Sequence, residues 1–242
     1  MKTLLSIAAG AIALIGTATA GTFTLDFGAT STTSNATLTG AAGTATFDLT
    51  DEGGDVRIIV TIENTTGQTA FGDGATSSRL TGFGFDLLDG MTVLSSVTTG
   101  ALGTVIAGAS FQPFGTLDFA VADNANFNGG NPNSALLPGE VSTVSLLVDA
   151  ALDADGLMGA LVAAFFAGDL DAGMRFQAVN AGAGSDKLLF SADAVPLPGA
   201  MVLMMSALGA GAAGRKLRRG RHPLRVRGWV TVGRKPHCAG RL

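Results

Sequence analysis

Between Gly21 and Asp193 the chain has no histidine, no cysteine, no tryptophan and no tyrosine. A Ser-His-Asp triad, a Cys-His pair and a zinc site built on His or Cys are therefore excluded from this stretch. The single cysteine, Cys238, excludes a disulfide scaffold. Both histidines, His222 and His237, lie beyond Asp193. Positive charge is scarce too: residues 21–193 hold all 19 Asp and Glu against only Arg57, Arg79, Arg175 and Lys187, a net charge of −15. Such a surface repels phosphate backbones, so no nucleic-acid partner is expected. From Arg215 onward the balance inverts, with ten basic residues and no acid.

The two ends read as targeting segments. Lys2 gives a short positive start, Leu4–Ile15 is an apolar run, and Ala18-Thr19-Ala20 supplies a small-x-small cleavage pattern. Residues 1–20 therefore read as a secretory signal peptide, cut between Ala20 and Gly21, with signal peptidase and the Sec translocon as partners. The apolar run is short for a membrane span.

At the other end, Leu197–Gly214 is 18 residues without a charge. As a helix it would reach about 27 Å at about 1.5 Å per residue, enough to cross the hydrocarbon layer. It is followed at once by Arg215, Lys216, Arg218, Arg219 and Arg221. The positive-inside rule keeps that cluster cytoplasmic and puts the acidic segment outside the inner membrane. Ahead of the span stands Val195-Pro196-Leu197-Pro198-Gly199-Ala200. Its two prolines deny two backbone donors and hold their predecessors extended, leaving an exposed strip open to a protease.

Motif, span and basic cluster together resemble the C-terminal sorting signal of PEP-CTERM proteins, in its VPLPA-type form. The resemblance covers about 30 residues and rests on the tripartite order. It differs in having Gly199 between Pro198 and Ala200, and in continuing past the arginines from His222 to Leu242. It implies a membrane transpeptidase partner, an exosortase, that removes the anchor in transit, a transient stay in the inner membrane, and an association with extracellular polysaccharide. The organisation expected is thus a signal peptide at 1–20, an acidic domain at 21–193, a sorting signal at 194–221, and a disordered basic tail at 222–242.

Residues 21–193 suit one domain with its own core. All 14 phenylalanines are here, glycine and threonine dominate, and proline is limited to Pro113, Pro132 and Pro138. Period-two alternation recurs in Phe23–Phe27, Val56–Glu63 (interrupted at Ile59), Phe83–Leu87, Leu117–Ala122, Val144–Val148 and Met174–Gln177. Turn signals separate the runs at Asp51–Asp55, Asn64–Gly67, Asn128–Pro132 and Leu137–Gly139. The expectation is an all-β antiparallel sandwich, jelly-roll or Ig-like, with a transmembrane helix beyond it. Asp149–Phe166 is ambiguous, its alanine-rich pattern admitting a short helix. Arg175–Asn180 and Gly184–Leu188 loosely resemble the last strands of domains found ahead of this sorting signal.

Candidate ligand sites are sparse. Asn124–Gly129 opens with the Asp/Asn spacing of a calcium loop, but its twelfth position is Ala135 where a bidentate Glu belongs. Asp153 and Asp155 with Asp149, and Asp169 with Asp171, are fragments of such patterns. No metal and no cofactor are assigned. A glycosidase would need paired carboxylates, and only Glu52, Glu63 and Glu140 offer Glu, without a Trp or Tyr platform for sugars. The expected function is a non-catalytic, exported structural or adhesive protein of the cell surface or matrix. The alternatives are a glycan- or calcium-binding module and, behind it, a glycoside hydrolase.

Overall fold

Threonine, valine, isoleucine and phenylalanine in alternation favour a pleated, half-buried backbone, and the chain folds accordingly. The structure is a computed structural model, and it describes residues 21–125, 127 and 132–192. In chain order the strands are β1 (Gly21–Phe27), β2 (Thr32–Thr33), β3 (Gly43–Glu52), β4 (Asp55–Asn64), β5 (Arg79–Phe85) and β6 (Thr92–Thr99). They continue with β7 (Thr104–Ser110), β8 (Thr116–Ala122), β9 (Val141–Asp149), β10 (Ala172–Gln177) and β11 (Ser185–Leu189). One helix, α1 (Ala154–Ala167), lies between β9 and β10.

The strands form two sheets. One runs β1-β3-β4-β9-β6, the other β2-β11-β10-β5-β8-β7. Every pairing between these strands is antiparallel. Residues 21–192 therefore form an all-β, two-sheet sandwich, as the alternation required. In the first sheet Phe47, Leu49, Val56, Ile58, Val60, Ile62, Val144, Leu146 and Val148 all point inward and are buried. They meet Phe83, Phe85, Met174, Phe176 and Leu188 of the second sheet in one continuous core. Fully burying one such side chain contributes about 1.5–3 kcal/mol. Ile59, which interrupts the alternation of β4, pairs with Asp48 and Ser145 on the outer face. A smaller apolar cluster of Phe111, Leu117, Ala120 and Phe127 is separate from the main core. The described residues fall in one compact unit, which holds both apolar clusters.

The Phe83–Leu87 run ends sooner than its alternation suggests: β5 stops at Phe85, and Asp86 turns to hold neighbouring backbone. The ambiguous stretch resolves into α1. Asp153 caps its N-terminus by accepting from the Gly156 N–H at 2.9 Å. Gly168, at φ 76°, closes the other end in the left-handed conformation that glycine adopts without strain. Leu157, Leu161 and Phe165 face the core, where Phe165 meets Phe23 and Phe47.

Two connections fix the sides of the sandwich. Four residues separate Phe27 from Thr32 and four separate Thr99 from Thr104. At no more than about 3.6 Å per residue, each crosses between sheets about 10 Å apart and can go little further. The terminal strands β1 and β2 therefore share one side, and β6 and β7 share the other. Among the described residues no helix is long and apolar enough to cross a membrane. The span expected at 197–214 lies outside the described residues.

Candidate functional site

Most of the residues assigned a role from sequence fall outside the described residues: Ala18 and Ala20, the motif at 195–200, and the cluster Arg215, Lys216, Arg218, Arg219 and Arg221. Gly21 is described, standing in β1 opposite Leu49. A side chain there would collide with Met158 of α1.

Several of the carboxylates considered for calcium or catalysis have local structural partners. Asp153 caps α1, and Asp155 lies in its first turn, where negative charge suits the helix dipole. Glu52 pairs with Arg57, whose hydrogen bond holds the Glu52 carboxyl below its ordinary range. Glu63 accepts from Gln68, and Glu140 accepts from the Leu137 N–H at 2.7 Å. Asn124 donates to Asp123, and Ala135 is buried. Among the described residues no group of three His, Cys, Asp or Glu side chains is placed to hold a metal ion.

The structure does gather residues that are far apart in sequence. Asp86 accepts from the Asp118 N–H at 3.3 Å and the Asp171 N–H at 3.0 Å, one on each oxygen. Asp118 in return accepts from the Leu87 N–H at 3.0 Å. These bonds tie β5 to β8 and to the entry of β10. Burial lifts the Asp86 carboxyl above its ordinary range, the two N–H donors oppose that, and the charges of Asp118 and Asp171 reinforce it. Both Asp86 oxygens already accept from backbone, so the cluster acts as a staple.

Arg175 is the one buried cation among the described residues. Its neighbour across the strands is Lys187. Burial lowers the pKa of both, and Arg175 lowers that of Lys187 further. Turned so that its oxygen faces the guanidinium, the Gln177 amide accepts from both terminal nitrogens of Arg175, at 2.6 and 3.2 Å. Lys187 donates to the Gln112 carbonyl and lies 5.7 Å from the centre of the Phe111 ring.

A groove of about 450 Å³ runs between α1 and the loop after β5, with Leu87, Met91, Leu152, Leu157 and Leu170 in its wall. Only Asp89 and Asp169 bring charge to it, and the rest of its wall is leucine, alanine, methionine and glycine. Its chemistry is that of an apolar depression.

The fold thus defines a class, an all-β antiparallel sandwich of acidic surface. No protein-family model, no curated protein and no solved structure matches the chain.

Proposed function

We propose that this protein is exported, held for a time in the inner membrane by its C-terminal segment, and cut there by an exosortase. The product is a non-catalytic structural or adhesive domain at the cell surface or in the extracellular matrix, associated with exopolysaccharide. In this reading the sandwich is of the jelly-roll or Ig-like kind, and the span at 197–214 is a transmembrane helix.

One observation carries the proposal: the order Val195–Ala200, then an uncharged stretch to Gly214, then Arg215–Arg221. Each part does a different physical job. The prolines keep the cut site extended, the uncharged stretch partitions into lipid, and the arginines stop transfer. The net charge of −15 ahead of it supports the same reading, since it keeps the released domain soluble. For the domain's role, the support is chemical: residues 21–193 offer no His or Cys for nucleophilic or general-base work.

Mass spectrometry of both termini, on protein collected from the cell exterior, tests the proposal. The expected mature form starts at Gly21 and lacks Arg215–Arg221. A surface form that retains residues 1–20 or the arginine cluster overturns it.

A further inference from the structure

The two sides of the sandwich differ in how their terminal strands are protected. On the β1/β2 side, β2 is two residues long, β1 carries Asp26, and α1 packs along β1 and β3. Short edges, edge charges and covering helices are the usual ways in which a sheet avoids pairing with another chain.

The β6/β7 side has little of this. Gly90–Leu117, which contains both strands, is the longest stretch between residues 21 and 193 without a charged side chain. Neither β6 nor β7 contains proline. Among the described residues no strand pairs with the outer side of either. Apolar side chains stand in solvent along them: Val97 is 66% exposed, Leu94 50% and Val105 41%. The two strands are not equal. Gly108 takes a φ of 61° within β7 and breaks its extended course. In β6 the register shifts once, between Val93 and Ser95, after which Ser95–Thr99 pairs regularly with β9.

We infer that β6 is a self-association edge, whose partner is β6 of a second copy of this chain, paired antiparallel across a two-fold axis. Charge selects the partner's approach. Two domains of net charge −15 repel over most of their surfaces, and the uncharged side is where that repulsion is least. The sequence of β6 is also complementary to itself. A pairing centred on Val97 sets Val97 against its counterpart and Ser95 against Thr99, on one face of the joined sheet. Apolar side chains then meet apolar ones, hydroxyls meet hydroxyls, and the unpaired backbone groups of both edges are satisfied. The first sheet would run on through both copies as ten strands, twice its own five. This is the isologous contact that closed dimers use. Its modest area makes it reversible. The inference concerns the domain alone and stands apart from how the C-terminal segment is processed.

The test is sedimentation velocity on the Gly21–Asp193 segment, loaded from about 10 µM to about 1 mM, a range that spans weak reversible affinities. The wild type should show a concentration-dependent dimer. Val97→Lys should weaken it at least tenfold, because two ammonium groups would stand directly opposite each other. The variant also lowers the net negative charge, so any association governed by overall charge would strengthen instead. Thr24→Lys makes the same charge change on exposed, protected β1 and should leave the dimer intact. Circular dichroism confirms that each variant is folded. A wild type that stays monomeric throughout, a Val97→Lys that dimerises as well as wild type, or an equal loss in Thr24→Lys overturns the inference.

Discussion

The side of the sandwich closed by β1, β2 and α1 and the side ending in β6 and β7 are built from the same residue types, yet they are finished differently. Near the first, aromatic rings interlock: Phe47 stacks on Phe23 at 4.7 Å, meets Phe85 at 5.3 Å, and touches Phe165 of α1 at 6.1 Å. Along the second, Val97 and Leu94 point into water and no charged side chain guards the edge. The contrast teaches that stability and association are separated in this domain. One side holds interlocked, largely buried packing, while the other keeps hydrogen-bonding and apolar capacity in reserve.

That separation is easiest to break with Phe47→Ala. Phe47 is fully buried among four other rings, and removing it should cost about 3–5 kcal/mol in urea unfolding. Val97→Ala, on the other side, should change the unfolding free energy of the monomer by no more than about 0.5 kcal/mol. Comparable losses from the two would erase the distinction. Next in size is Asp153→Ala, which removes the cap of the helix that covers the protected side. It should cost about 1 kcal/mol by the same measurement; a cost near zero would mean that α1 is held by its packing alone.

A subtler comparison sets the Asp86 staple against a variant that cannot titrate. Burial lifts the Asp86 carboxyl above its ordinary 3.8, and its acidic neighbours push the same way against the two N–H donors. A raised pKa in the folded state adds stability below the unfolded value, and that increment is lost as pH rises through the folded pKa. The wild type should therefore lose melting temperature relative to Asp86→Asn as pH rises from about 3.5 toward neutrality. A gap that stays constant over that range contradicts the assignment. The smallest effect belongs to Glu52→Gln. Its partner Arg57 is paired with it at the exposed tip of the β3–β4 hairpin, and such pairs contribute little. No resolvable change in urea midpoint is expected; a clear drop would give this ion pair a structural weight its exposure does not suggest.

How much of this was legible in the sequence follows from burial. β4 was plain because both its neighbours bury one face of it, so Val56, Ile58, Val60 and Ile62 alternate with solvated residues. β6 was not, because Thr92–Thr99 is an edge strand with weakly buried faces, and the irregularity at Leu94 shifts its phase by one residue. β2 is too short to carry a period. The helix stayed ambiguous because apolar residues surround it: Leu157, Leu161 and Phe165 face the core, but Met158 and Phe166 are apolar and only partly buried. The sandwich could thus be read from its centre and not from its rim. At the candidate sites, spacing withheld a calcium loop at Asn124–Gly129 for want of an acid at Ala135. Spacing could not reveal the contact of Asp86 with Asp118 and Asp171, which are brought together only by strand pairing. The stretch Val195–Ala200 proposed as a sorting motif lies outside the described residues.

The contrast between the two sides is tested most directly by amide hydrogen exchange on the Gly21–Asp193 segment, compared at about 20 µM and about 1 mM so that a weak dimer is first dissociated and then populated. Protection at Ser95–Thr99 should rise with concentration while Thr22–Asp26 of β1 stays unchanged. Protection that rises equally in both strands, or in neither, would contradict it.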